Sequence, residues 1–136
     1  MQLSDTERAI SEEEFSKFES GFSRKLPASL KAHYLRNNGG FPDSNYVKGS
    51  KHVFSIDGFI PIKYGVLPIE RLVRDMRAPE PDGYFLPFAN DAGGNIFYIS
   101  LLDDDYERVY LLTADTAEKI YVCGSFDEFI AALYNE

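Results

Sequence analysis

The segment from residue 84 to residue 101 has the sequence YFLPFANDAGGNIFYISL, in which two nearly continuous apolar runs flank a polar, glycine-containing turn. Short apolar runs bounded by turn residues are typical of strands that are covered on both faces. The segment therefore predicts two central strands, Tyr84–Ala89 and Asn95–Leu101, joined by Asn90–Gly94.

The turn between these strands has a structural interpretation and a chemical one. Gly93 and Gly94 supply the positive φ that a hairpin turn needs, and Asp91 and Asn95 are expected to brace it through local hydrogen bonds. A phosphate cradle requires a P-loop or a G-x-G-x-x-G pattern, and the sequence contains neither. We therefore predict a structural turn.

Further strand patterns lie on both sides of this pair. Residues 52–62 indicate two strands with a tight-turn signal, Asp57-Gly58, between them. Residues 108–112 and 119–122 indicate two more, linked by Thr113–Thr116. The sequence thus predicts about six strands.

Two helices are predicted before the strands. Ser11 and Glu14 form a capping box at the start of the first helix. The second begins with Leu26-Pro27, because a first turn does not use the N–H that proline lacks. It ends at Asn38-Gly39-Gly40, where the glycines accept a left-handed conformation. The alternative for this motif is a position near a binding face.

Two further helices begin at Pro68 and at Ser125, where Ser125 and Glu128 form a second capping box. Apolar residues at helical spacing are expected on the buried faces of the four helices. They are Phe15, Phe18, Phe22, Leu30, Tyr34, Ile69, Leu72, Val73, Met76, Phe126, Phe129, Ile130 and Leu133.

The elements follow the order helices, strands, one helix, strands, helix. A doubly wound parallel sheet needs a regular alternation of strand and helix, which this order lacks. We predict an α+β fold in which a mainly antiparallel sheet of about six strands is packed by four helices. The whole chain, residues 1–136, is expected to form a single domain.

The bulk composition is that of a globular protein, with 44% hydrophobic and 26% charged residues in a chain of 136. Cys123 is the only cysteine, so no internal disulfide can form. The N-terminus lacks the features of a signal peptide, and no apolar run is long enough to span a bilayer. We expect a cytoplasmic protein without a membrane partner.

Charge is distributed unevenly along the chain. The net charge is −8, and residues 78–136 alone carry twelve acidic and two basic groups, a net charge of −10. A nucleic-acid-binding protein needs a basic excess that replaces counterions on phosphates. We therefore expect no nucleic-acid partner. An acidic half suits a basic protein partner, although a negative surface also simply maintains solubility.

Several motifs occur in a characteristic order. Phe18-Glu19 precedes Leu26–Leu30 and Asn38–Pro42, then comes Phe85–Asn95, and Ser125–Phe129 closes the chain. In this order they resemble the opening, the central strand–turn–strand and the closing helix of the SUKH superfamily, the group that includes the fungal cell-wall-assembly regulators. The resemblance extends from about residue 10 to residue 134.

The resemblance implies a protein-binding role. Bacterial members are mainly immunity proteins that neutralise secreted toxin domains, often nucleases or deaminases, and fungal members are regulatory interaction proteins. The family has no general catalytic motif to transfer to this chain. The stretch from Asp43 to His52 matches no motif of the family, and a contact role there stays open.

The residues themselves offer little chemistry. His33, His52 and Cys123 are too few and too scattered for a zinc site, and Asp103–Asp105 lacks the alternating ligands of a calcium loop. We expect Cys123 to be a buried structural thiol, and His33 to lie between the buried and the exposed face of its half-buried helix. The sequence predicts no catalytic residue, no metal and no cofactor.

The predicted function is therefore non-enzymatic protein binding. An immunity protein would cover the basic substrate site of a toxin domain with the carboxylates of its last strands and loops, and an exposed tyrosine would serve as an anchor. The residues expected to do this are Asp103, Asp104, Asp105, Tyr106, Glu107 and Asp115. The alternatives are a solvated hairpin tip at Asp103–Asp105 and, for the whole protein, a regulatory module with an endogenous cytoplasmic partner.

Overall fold

Ten short strands and four helices are present in the computed structural model, which describes every residue from Met1 to Glu136. In chain order they are β1 (Leu3–Ser4), α1 (Glu12–Glu19), α2 (Ala28–Arg36), β2 (Phe41–Pro42), β3 (Tyr46–Lys48), β4 (Val53–Ser55), β5 (Gly58–Phe59), α3 (Ile69–Asp75), β6 (Phe85–Asn90), β7 (Ile96–Ser100), β8 (Val109–Leu112), β9 (Lys119–Cys123), α4 (Phe126–Ala131) and β10 (Leu133–Tyr134). A single 3₁₀ turn, Asp103–Asp105, follows β7.

The strands form three antiparallel sheets. The largest has the order β5-β6-β7-β8-β9, a second has the order β10-β3-β4, and β1 pairs with β2. The α+β class, the antiparallel pairing and the four helices are confirmed. The strand number exceeds the predicted six because strands of two or three residues, such as β1 and β2, leave no periodic pattern in the sequence.

The predicted central pair is confirmed as β6 and β7, with Leu86 opposite Ile99. Side chains on one face of β6 and β7 join the main core of 25 buried residues. Phe85 and Tyr98 belong to a smaller buried cluster on the other face. Both faces of the central strands are therefore covered, which explains why their sequences are apolar without alternation.

The turn after β6 is braced as expected. Asp91 Oδ1 accepts hydrogen bonds from the backbone N–H groups of Gly93 (2.9 Å) and Asn95 (2.8 Å). Asp91 Oδ2 accepts a third from the Asn95 side chain. Of the two glycines, Gly94 has the positive φ, +85°. The motif therefore holds the hairpin together.

The capping box of the first helix is confirmed. Ser11 accepts a hydrogen bond from the Glu14 N–H, and the Glu14 carboxylate accepts one from the Ser11 N–H. Phe15 and Phe18 enter the core. Phe22 lies beyond the end of α1 and packs against the core from the following turn.

Asn38-Gly39-Gly40 ends α2 as predicted and also joins distant segments. The Asn38 side-chain amide is almost fully buried, donates to the carbonyls of Arg8 and Ile62, and accepts from the Ile62 N–H. Gly39 has φ +77°, and a Cβ there would lie 3.0 Å from Pro61. The motif therefore fixes the N-terminal segment and the chain after β5 against the end of α2.

The structure corrects three local predictions. The two strands expected in residues 52–62 exist, but β4 and β5 lie in different sheets, so Asp57-Gly58 is a crossover between sheets. Glu128 does not complete the second capping box, because its carboxylate accepts from the Gly124 N–H instead. Leu133 is not on a helix face, because it leaves α4 to pair with Val47 of β3. No helix has the length and apolar character needed to cross a membrane.

Candidate protein-binding surfaces

The acidic loop, Asp103–Glu107, connects β7 to β8 and begins with the 3₁₀ turn. Asp103 and Asp104 are exposed, and the Asp103 side chain retains 94% of its accessible surface. The Arg24 guanidinium pairs with Asp103 at 2.8 Å. Asp104 forms no ion pair or hydrogen bond with another residue. These two carboxylates are therefore the ones that the loop presents to solvent.

Asp105, the third aspartate, is directed inward and is not available to a partner. It accepts hydrogen bonds from the hydroxyls of Ser100 and Tyr110, the latter at 2.7 Å. Burial acts to raise the pKa of the Asp105 carboxyl, but these two donors outweigh it and hold the pKa below its usual value. The expectation that Asp105 contacts a partner is corrected to a positioning role in the loop.

Tyr106 was expected to be an exposed anchor, and the structure places it against the body of the protein. Its hydroxyl donates to the Lys25 carbonyl at 2.6 Å, and the Arg24 guanidinium carbon lies 4.1 Å from the ring centroid. Cation–π contact with arginine holds the ring in one orientation. Tyr106 therefore fastens the acidic loop and is not a free anchor. Glu107 follows with φ +78° and is half-buried.

Asp115 lies in the turn between β8 and β9, at the opposite end of β8 from the acidic loop. Leu112 pairs with Ile96 at that end, whereas Val109 pairs with Ile99 near the loop. Four residues of strand separate the two ends by roughly 13 Å. The structure thus does not bring Asp115 together with Asp103 and Asp104.

A polar network beneath the acidic loop fixes its position, and sequence reasoning missed it. The Glu80 carboxylate, with a side chain only 6% exposed, accepts from the Tyr98 hydroxyl at 2.9 Å and from Lys119 at 2.7 Å. The Lys119 ammonium also lies 4.2 Å from the Tyr110 ring centroid, and Tyr110 donates to Asp105. Burial, followed by the Asp105 hydrogen bond, raises the pKa of Tyr110 to about 12. Glu80 is far from its partners in the sequence, so no local pattern reveals it.

An apolar groove lies where α3 approaches the ends of the central strands. It consists of two adjoining hollows of about 310 and 720 Å³ that share four lining residues. These are Leu67, Leu72, Gly94 and Ile96. Phe41 lines one end, and Met76 and Leu112 line the other. We call this surface the groove face.

The segment before α3 carries two adjacent exposed apolar side chains, of which Leu67 lines the groove. Val66 is 89% exposed and Leu67 is 48% exposed, and together they form what we call the knob. Lys63 and Gly65 both have positive φ, +66° and +95°. The adjacency of Val66 and Leu67 outside any predicted element was the signal in the sequence that could have revealed this surface.

The residues that precede the knob are held by ion pairing and hydrogen bonds to α1. The Lys63 ammonium donates to Glu14 at 2.6 Å, and the Tyr64 hydroxyl donates to the same carboxylate oxygen. These bonds, Lys63 first and Tyr64 second, lower the pKa of Glu14 to about 2. The Lys63 N–H also donates to Glu70 of α3. The backbone on the N-terminal side of the knob is therefore tied to two helices.

The model of the SMI1 / KNR4 family (SUKH-1) matches residues 9–132 of the chain. The chain belongs to this family. The membership confirms the resemblance in the sequence and covers nearly all of the predicted core. SUKH domains are protein-interaction and immunity modules and are generally non-catalytic. No curated protein and no solved structure matches the chain significantly.

The reactive groups of this SUKH-1 domain are dispersed or buried. No three His, Cys, Asp or Glu side chains are grouped where they could hold a metal ion. Burial raises the pKa of the Cys123 thiol to about 11, and the thiol donates to the Ser125 carbonyl. Arg71 and Arg74 of α3 pair with Asp75 of the same helix, at 3.5 and 3.0 Å. The acidic loop and the groove face are the two surfaces of this SUKH-1 domain from which the proposals below are argued.

Proposed function

We propose that this SUKH-1 domain is an immunity protein that binds a toxin domain of nuclease or deaminase type and covers its basic substrate site. Family membership supports a protein-binding role. The exposed carboxylates of Asp103 and Asp104 support a basic partner. The proposal makes the protein an inhibitor that acts by occupying a surface, with no catalytic residue, metal or cofactor of its own.

The acidic loop suits this role because it is fixed before binding. Asp105 is held by Ser100 and Tyr110, and Tyr106 is held by Lys25 and Arg24, so the loop loses little freedom when a partner binds. Preorganisation of this kind increases affinity by reducing the entropy lost on association. The side chains that mimic substrate phosphates in this proposal are Asp103 and Asp104, the two carboxylates that the loop presents to solvent.

Electrostatic attraction would then govern the rate of association. A nuclease or deaminase cleft is basic because it binds nucleic acid, and residues 78–136 carry a net charge of −10. Arg24 neutralises part of the charge on Asp103, which leaves Asp104 as the freer carboxylate. Complementary charge of this type raises the association rate at low salt more than it slows dissociation.

The first experiment is a pull-down from the native source with the tagged full chain at low and at moderate salt, read by mass spectrometry. We expect a basic toxin domain that elutes as the salt concentration rises, and we expect the chain to inhibit that domain in a nuclease or deaminase assay. Recovery of a housekeeping factor of the same cell would instead support the regulatory alternative.

The matched variants separate local charge from net charge. Asp103→Asn with Asp104→Asn is expected to slow association with the recovered toxin domain at least about tenfold at low salt and to reduce its salt dependence. Glu13→Gln with Glu136→Gln removes the same number of exposed charges elsewhere and should leave both nearly unchanged. Equal effects of the two pairs would refute a specific role of the acidic loop.

A further inference from the structure

Some of the exposed apolar residues of the chain lie at the groove face. The large hydrophobic side chains that remain exposed are Met1, Phe41, Val53, Val66 and Leu67. Two of these five, Phe41 and Leu67, line the groove face, and Val66 directly precedes Leu67 in the chain. Contiguous apolar patches on a protein surface often mark interaction sites when they are large. The groove face is therefore a candidate interaction surface of this chain.

The two walls of the groove differ in side-chain size. The α3 wall carries Leu67 of the knob and the apolar side chains of Leu72 and Met76. The opposite wall, formed by the turns after β6 and β8, carries Gly94, Ala114 and Ala117. A side chain added at Gly94 would meet nothing within 4 Å. The second wall thus leaves room for apolar side chains that project from elsewhere.

The two walls also differ in charge. Arg77, at the end of the α3 wall, lines the groove and forms no ion pair, in contrast to Arg71 and Arg74. Asp115 and Glu118 lie exposed in the turn that forms the opposite wall, and their carboxylates also form no ion pair. The groove therefore has a basic, protruding wall and an acidic, open wall on the same face.

We propose that a second copy of this chain covers the groove face, in a homodimer whose two-fold axis runs along the groove. Rotation about that axis places the α3 wall of each copy over the open wall of the other. The Val66–Leu67 knob of each copy then packs against Gly94, Ala114 and Ala117 of the other copy, and Arg77 faces Asp115. An isologous interface requires a surface that is complementary to itself. The groove face meets this requirement because its two walls differ in charge and because the knob on one wall can fill the open space at the other.

The test measures oligomeric state and needs no other protein. Sedimentation velocity of the full chain, from low to high micromolar concentration, is expected to show twice the monomer mass of 15.4 kDa. Val66→Asp is expected to weaken the dimer by about 100-fold or more, because it places a charge in an apolar contact. Val53→Asp changes an exposed valine of β4, away from the groove, and should leave the dimer intact.

A charge exchange tests the orientation of the two copies. Arg77→Glu and Asp115→Arg are each expected to weaken the dimer about tenfold, and the double variant is expected to recover most of the loss. Circular dichroism confirms that each variant is folded. A chain that stays monomeric at high concentration would overturn the proposal, as would a dimer unaffected by Val66→Asp or a double variant weaker than both single ones. Asp103→Asn with Asp104→Asn should not alter the dimer. The dimer proposal and the immunity proposal can therefore fail independently of each other.

Discussion

Acidification is expected to destabilise the folded chain through His33. The sequence predicts that this residue of α2 lies between the buried and the exposed face of the helix, but it is buried and only 6% exposed. Its ring packs against Tyr34, Phe59 and Phe126, with centroids 5.0–5.4 Å apart, and its Nε2 has no hydrogen-bond partner. Burial, and then the charge of Arg36, lower the pKa of His33 to about 4.

The sign of the effect follows from the two states. The unfolded chain binds a proton at His33 near the ordinary pKa of 6.5, whereas the folded chain does so only near 4. The contribution of His33 to the free energy of unfolding is therefore fully present above about pH 6.5. It decreases as the pH falls towards about 4 and does not change further below that pH. The full loss is about 3 kcal/mol, of which about 2 kcal/mol appears between about pH 7 and about pH 5. Most carboxylates of a protein are still ionised at about pH 5, the lower of these two pH values.

The assay is urea unfolding followed by circular dichroism at the two pH values and constant ionic strength. His33→Phe retains an aromatic ring without a titrating nitrogen and should lose most of the pH dependence, and His33→Leu serves if phenylalanine does not fit. His52→Gln changes the other, exposed histidine and should behave like the wild type. An NMR titration should place the midpoint of His33 well below that of His52. Equal stability of the wild type at both pH values, or an unchanged pH dependence in His33→Phe, would refute the reasoning.

Three further predictions concern positions that hold the fold and the acidic loop. Asn38→Ala removes three buried hydrogen bonds and should lower the free energy of unfolding by about 2–4 kcal/mol, measured by urea denaturation. Gly39→Ala should cost more than about 1 kcal/mol, because φ is +77° and Pro61 lies 3.0 Å from the added Cβ. Gly93→Ala has neither problem and should change stability by less than about 0.5 kcal/mol in the same assay. Asp105→Ala should cost about 1–3 kcal/mol and, by releasing the loop, slow association with the toxin domain in a stopped-flow measurement.

Features of the fold that depend on neighbours in the sequence were predictable. The Ser11–Glu14 capping box and the Asp91–Asn95 turn each involve residues within four positions of one another, so the interacting groups appear in one short window. The central strands were equally clear because burial on both faces leaves continuous apolar runs. These local signals are sufficient for the α+β class.

Features that depend on distant residues were not predictable in this way. Its place beside an aspartate run predicts that Tyr106 is an exposed aromatic residue. Its hydroxyl instead donates to the carbonyl of Lys25, which is 81 positions away in the sequence. Glu80 and Lys119 are 39 positions apart. The sequence does show that a residue can form a polar contact, but three-dimensional packing decides which contacts form. The charge of the sequence therefore predicted the acidic loop as a candidate site, and the fold determines which of its side chains are exposed.

The positions of the two surfaces make the two proposals compatible. Strands β7 and β8 run from the groove face, near Ile96 and Leu112, to the acidic loop at their other ends. A dimer formed through the groove leaves both acidic loops outside the interface, so self-association does not compete with a toxin domain. Each copy then retains one complete acidic loop, and two linked loops increase the residence time on any partner that binds them and is itself dimeric. A competing arrangement, in which the partner occupies the groove, would instead make partner binding dissociate the dimer.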